Sequence, residues 1–128
     1  MNDRRRPGAD SERRQAAQRR GRWAEHAALL WLRLKFYRIL DRNLRLRGGE
    51  LDLVARRGRT LVFVEVKRRA DLGASAEAIT ARQRQRIRRA AEEYLQHRPK
   101  LRGLDARFDA LLIVPGRAPR HIVDAWRE

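Results

Sequence analysis

Residues 49–67 read Gly-Glu-Leu-Asp-Leu-Val-Ala-Arg-Arg-Gly-Arg-Thr-Leu-Val-Phe-Val-Glu-Val-Lys. Two β-type segments meet at a glycine-containing turn, and carboxylates interrupt both. A buried strand rarely carries an acid without a reason, because an unpaired buried charge is costly. A two-residue loop at Gly58-Arg59, with glycine first as a type II′ turn prefers, fixes the register. Arg57 then faces Thr60, Asp52 faces Glu65 and Glu50 faces Lys67. Alternation puts Leu51, Leu53, Ala55, Val62, Val64 and Val66 on one apolar face. The other face carries Val54, Leu61 and Phe63 near the turn, and Glu50, Asp52, Glu65 and Lys67 at the far end. Opposed Cβ atoms lie about 4.5–5.5 Å apart, close enough for two carboxylates to share one cation. Two carboxylates and an ammonium on one face suit a divalent-metal site with a charge stabiliser beside it. The competing reading is an amphipathic hairpin with one solvated face, on which Glu50–Lys67 is a weak surface pair. Val54, Leu61 and Phe63 speak against it, since a partly apolar face calls for a cover.

A chain of 128 residues has room for one domain and one core. It contains no cysteine, which excludes disulfides and thiolate metal sites. His26, His97 and His121 show no ligand spacing and read as ordinary, partly exposed residues. No apolar run approaches the roughly 20 residues of a membrane span, and no secretory leader follows Met1. The expectation is a cytoplasmic protein without a membrane partner. The net charge is +16, from 32 basic and 16 acidic residues. Such an excess favours a polyanionic partner, and nucleic acid is the usual one.

Residues 1–14 are charged and aperiodic and read as a disordered basic tail, leaving 15–128 as a single domain. From Gln15 to Phe36 the pattern is helical: Trp23, Ala27, Leu30, Trp31 and Leu34 form one continuous apolar stripe. Glu25 shares a different face with Ala28, Leu29 and Leu32, which points it inward. Tyr37–Arg45 reads as a strand, Arg47-Gly48-Gly49 as a turn, and residues 70–79 as a loop. Thr80 and Gln83 match a capping box. It opens a helix that ends near His97, with Ile87, Ala90, Ala91, Tyr94 and Leu95 as its apolar stripe. Arg82, Arg84, Arg86, Arg88 and Arg89 lie mostly off that stripe, as a basic face. Strands are expected at Ala106–Val114 and His121–Ala125. The order α-β-β-β-α-β-β predicts an α/β fold with a mixed sheet and helices packed on it.

That order, with an aspartate on the second strand and Glu-x-Lys on the third, resembles the PD-(D/E)XK nuclease superfamily, the restriction-endonuclease-like fold. Within it the chain is similar to the bacterial YraN family over about Gly21–Ala125. The matching segments are Gly21-x-x-x-Glu25, Arg42-Asn43, Gly49–Ala55, Val62–Lys67, the Gln83–Leu95 helix and Arg107-Phe108-Asp109. Leu51 precedes Asp52 where the namesake motif has proline. The resemblance implies a metal-dependent endonuclease with Mg²⁺ (or Mn²⁺) held by Asp52, Glu65 and the Val66 carbonyl. Lys67 then assists attack on the phosphodiester. Archaeal Holliday-junction resolvases, which are similar, add a metal-site glutamate from the first helix, and Glu25 is the matching position. The substrate implied is nucleic acid, DNA before RNA, including structured or branched DNA. Arg68, Arg69, Arg82, Arg84, Arg86 and Gln83 are the candidate contacts, although Gln83 also serves the helix cap. A homodimer is left open, because no interface stripe stands out. The rival expectation is a nucleic-acid-binding protein whose nuclease-like site is idle.

Overall fold

Gly58 sets the central hairpin. Its φ is +63°, while Arg59 stays outside the left-handed region, the sign pattern of a type II′ turn. The computed structural model describes residues 23–68 and 79–126. The expected tail at 1–14, the start of the first helix, Arg69 and most of the 70–79 loop lie outside those residues. The described elements are a helix α1 at 23–34, strands β1 (Arg38–Arg45), β2 (Glu50–Arg57) and β3 (Thr60–Arg68), a helix α2 (Ala81–Gln96), and strands β4 (Asp105–Ile113) and β5 (Arg120–Ile122). They follow the expected order. Asp124 adopts a positive φ of 56° just past the last strand, which is shorter than the sequence suggests.

The five strands form one mixed sheet whose spatial order equals the chain order. All neighbours run antiparallel except β3 and β4, which are parallel. A parallel pair requires a crossover, and α2 lies in that connection. Thr80 caps α2 as the sequence predicts: its hydroxyl accepts from the Gln83 N–H at 3.2 Å, and the Gln83 side chain accepts from the Thr80 N–H at 3.0 Å.

Each face of the sheet carries one helix. Ala24, Ala28, Leu29 and Leu32 of α1 pack with Leu53, Ala55, Val62, Val64, Leu111 and Ile113. Ile87, Ala90, Ala91 and Tyr94 of α2 pack with Val54, Leu61, Phe63 and Ala110. The partly apolar face of the hairpin therefore has its cover, and α2 supplies it. One side chain departs from the expected alternation. Leu51 packs on the α2 side, not with Leu53, because the β2–β3 ladder stops at Leu53↔Val64 and the phase of β2 changes there. On α1 the stripe read from the sequence splits: Ala27 and Trp31 are partly buried against the sheet, whereas Trp23, Leu30 and Leu34 face outward, at 47%, 60% and 66% exposed. The helix carries two apolar faces, and the sheet takes the one with the small alanines, which permit close approach.

Helix α1 ends in a Schellman motif. The Tyr37 N–H donates to the Leu32 carbonyl at 2.9 Å and the Phe36 N–H to the Arg33 carbonyl at 3.0 Å. Phe36 occupies the left-handed position with φ +69°, where glycine is usual.

Candidate functional site

The β2–β3 pair opens just beyond Leu53↔Val64, and Asp52 sits in the fork. Its Oδ2 accepts the Val66 N–H at 2.9 Å. A side chain thus takes the place of a ladder bond, which ties Asp52 to β3. Glu65 lies across the fork beyond the last paired residues, and the two carboxyl groups interact directly. Lys67, two residues on, brings its Nζ to 3.4 Å from Glu65 Oε1, and both side chains are largely shielded from water. The expected Glu50–Lys67 pair is not formed. Glu50 binds Arg45 Nε at 3.2 Å, because the two are direct neighbours across β1–β2.

Burial in the fork raises the Asp52 pKa above its ordinary value, against the Val66 N–H and Lys67. Burial, and then the charge of Asp52, push Glu65 up to about 7. Two close acids with little water cannot both ionise cheaply, and a hard cation accepts oxygen donors of this kind. The donor set therefore fits a divalent ion completed by a backbone carbonyl and water. Among the described residues no group of three or more His, Asp or Glu side chains converges on such a site.

The proton on Glu65 has a consequence for stability. Its folded-state pKa lies above the ordinary value of 4.5, so the folded chain holds the proton more tightly than the unfolded one. The resulting stabilisation is complete below about 4.5 and fades as pH rises toward 7. Glu65→Gln is expected to abolish that fade and to raise the melting temperature at mildly alkaline pH. The gain is at most about 3 kcal/mol. Thermal melts in chelator at mildly acidic and mildly alkaline pH check this; equal pH dependence in both proteins would contradict it.

Two clefts flank Asp52. The larger, of about 600 Å³, opens on the α2 side and is lined by Asp52, Glu65, Arg45, Arg47, Gln83 and Arg86, with Gly48 and Gly49. A Cβ on Gly48 would meet the Arg89 Cβ at 2.8 Å, and one on Gly49 the Arg86 carbonyl at 3.0 Å. The absence of side chains lets the β1–β2 turn lie against α2 and carries Arg45 and Arg47 beside Arg86. The smaller cleft, of about 190 Å³, opens on the α1 side between Ala24, Glu25, Asn43, Asp52, Val66 and Arg68. Glu25 thus points inward, as its helical face implies. It accepts a hydrogen bond from Asn43 Nδ2 at 2.7 Å, and Arg42 lies 3.8 Å away. Asn43 has φ +53° and lies opposite Asp52, between the pairs Arg42↔Leu53 and Leu44↔Leu51.

Of the candidate contacts, Gln83 and Arg86 share the larger cleft with the carboxylates and Arg68 lines the smaller. The Gln83 carboxamide is held in the cap. Arg84 donates to the Ile79 carbonyl at 3.1 Å, and Arg82 is exposed on the surface. Arg45 and Arg47 were not singled out by the sequence. Their signal was the Gly48-Gly49 pair, which marks a close backbone approach.

A second polar cluster escaped the sequence reading. Asp109 is fully buried. Arg107 donates to it through Nε at 2.8 Å and Nη2 at 2.9 Å, and also to the Tyr37 hydroxyl at 2.7 Å. His121 Nε2 lies 2.7 Å from Asp109 Oδ2, and the Asp124 N–H donates to Oδ1 at 2.9 Å. The His121 side chain is therefore shielded against Asp109, while the residue as a whole is partly exposed, as the sequence suggested. Burial alone would raise the Asp109 pKa; His121, Arg107 and the Asp124 N–H outweigh it and leave it lowered.

The family model described as "Uncharacterised protein family UPF0102" matches residues 24–113, a span that includes Glu25, Asp52, Glu65, Lys67 and Asp109. The chain is 56% identical over 121 residues to the UPF0102 protein amb4503 of Paramagnetospirillum magneticum, covering 91% of this chain and 94% of the other. It is 54% identical over 112 residues to a UPF0102 protein of Parvibaculum lavamentivorans, covering 88% and 84%. A UPF0102 protein of Methylorubrum extorquens is 51% identical over 122 residues, covering 94% and 95%. Among the described residues no helix is long and apolar enough to cross a membrane.

Proposed function

The chain belongs to the UPF0102 family, and we propose that it is a metal-dependent endonuclease acting on nucleic-acid phosphodiesters. The observation that supports this most is the Asp52–Glu65 fork beside Lys67, at the wall of a cleft that Arg45, Arg47 and Arg86 also line. The likeness to the PD-(D/E)XK pattern, through Asp52 and the Glu65-x-Lys67 segment, agrees with it. Asp52, Glu65 and the Val66 carbonyl would hold Mg²⁺ or Mn²⁺; such an ion polarises a phosphate and acidifies a bound water. Lys67 places a positive charge where negative charge grows on the phosphate. Arg45, Arg47 and Arg86 hold flanking phosphates, and the arginine fork suits their geometry. Glu25, fixed by Asn43, orients water in the smaller cleft or extends the metal site. Branched, flapped, single-stranded and duplex substrates incubated with Mg²⁺ or Mn²⁺, beside an Asp52→Ala control, test the proposal. Divalent-dependent cleavage that the control lacks is the expected result. Wild-type protein that cleaves none of them would overturn it.

A second reading has its own support. Among the described residues only two carboxylates converge, and Lys67 already lies against one of them, so a nucleic-acid-binding protein with an idle site also suits the geometry. Both readings share one expectation. Binding should show little sequence preference, because charge is spread over the surface and no groove-reading element is evident. Affinity should fall steeply with salt, in proportion to the phosphates contacted. Removing residues 1–14 should weaken binding and flatten that slope. Titration of a fluorescent oligonucleotide at several salt concentrations checks it; a flat response would exclude the electrostatic account.

A further inference from the structure

The outward face of α1 presents Trp23, Leu30 and Leu34, with the partly buried Ala27 at its edge, spaced four, three and four residues apart along 23, 27, 30 and 34. That is the spacing of a seam between packed helices. Trp23, Leu30 and Leu34 are 47%, 60% and 66% exposed, and Phe36 just beyond them is 86% exposed. A helix with two apolar faces calls for a cover on both, yet the sheet covers only one of them.

We propose that this stripe is the interface between two copies of the chain, paired antiparallel about a two-fold axis between residues 28 and 29. Three observations select a second copy. The first is composition: residues 1–22 contain no large apolar side chain but Met1, and residues 69–78 none but Leu72. The segments outside the described structure therefore lack the side chains to cover a Trp-Leu-Leu-Phe surface. The second is self-complementarity, which a two-fold interface requires. Antiparallel pairing about that axis sets Leu30 of one copy against the small Ala27 of the other, and Trp23 against Leu34. The third is area. The four exposed side chains offer on the order of 500 Å² per copy, so a pair buries about 1,000 Å² from them alone, near the ~1,200 Å² at which specific interfaces begin.

His26, Arg33 and Lys35 rim the stripe and are exposed. The two copies carry the same charge, +16 each, so repulsion opposes the pairing until salt screens it. Dimerisation should strengthen with salt, whereas binding of the same stripe to an anionic lipid surface should weaken.

Light scattering of the full chain across micromolar concentrations, at low and high salt, reads the outcome. The expected result is a concentration-dependent dimer favoured by salt. Leu30→Glu and Leu34→Glu should each raise its dissociation constant by about tenfold or more, with an unchanged melting temperature of the monomer. Pairing also fixes a crosslink, because the chain has no cysteine of its own. A mixture of Ala27→Cys and Leu30→Cys proteins should form disulfide-linked pairs faster than either alone. A monomer at every concentration and salt would overturn the proposal. So would a dimer indifferent to both glutamate variants, or a stripe whose variants lose only binding to phosphatidylglycerol vesicles.

Discussion

Under the proposed metal-dependent cleavage, Asp52→Ala and Glu65→Ala are each expected to reduce turnover at least about a hundredfold, since each would remove a proposed metal ligand. Lys67→Ala should suppress turnover to a similar degree by a different route. Its ammonium lies beside Glu65 and, on the proposed reading, would act on developing charge, so divalent binding should survive its loss. None of the three should greatly weaken the proposed nucleic-acid binding, which the arginines would dominate. The carboxylate variants should bind slightly tighter, because a negative charge near the phosphates is gone. Calorimetric titration of Mg²⁺ or Mn²⁺, with cleavage and binding assays on the same variants, separates these effects. If Lys67→Ala loses metal affinity as Asp52→Ala does, the division of roles is wrong. If all three variants cleave like wild type, the fork is not the reaction centre.

The second large effect lies away from the fork. Asp109→Ala should destabilise the protein by about 3–5 kcal/mol, because it leaves the Arg107 guanidinium and His121 in a buried site without their anion. Against a typical total of about 5–15 kcal/mol, that threatens folding at growth temperature. Asp109 also contributes to acid sensitivity. Its folded-state pKa is lowered, so its stabilising contribution is complete above the ordinary value of 3.8 and is lost as pH falls through the lower folded-state value. Wild-type protein should lose stability over that range and Asp109→Ala should lose less. Denaturant melts at neutral and strongly acidic pH, with Arg107→Met and the double variant, measure it. The two single losses should not add, because each disrupts the same pair. Additive losses would show that Arg107 and Asp109 act independently.

The fork was legible because a two-residue turn is a strong constraint. Gly58 sets the register from Arg57↔Thr60 to Leu53↔Val64, which brings Asp52 and Glu65 to the end of the ladder, where their carboxyl groups meet. The alternation fails at Leu51 because it assumes a continuous ladder. Asp52 ends the ladder by accepting the Val66 N–H, an event that no periodicity announces. Helix α1 misled for another reason. Its largest apolar residues form the more conspicuous stripe, whereas the sheet selects Ala24 and Ala28 for close packing. Arg107, Asp109 and His121 were invisible as a group because β4 and β5 are brought together only by the fold. The Thr80–Gln83 cap, by contrast, is local and was readable in full.

Because the spatial order of the strands repeats the chain order, the two polar centres differ in sequence separation. Asp52 and Val66 are 14 residues apart, and Glu25 and Asn43 are 18 apart. Arg107 and Tyr37 are 70 apart. Short loops close at little entropic cost and long ones at more. The whole fork, from Glu25 to Lys67, lies upstream of α2 and can assemble during synthesis before the ribosome has supplied β4. The Asp109 cluster forms only when the last strands arrive and fasten to Tyr37. It is the clasp that commits a preassembled N-terminal half to one cooperative molecule.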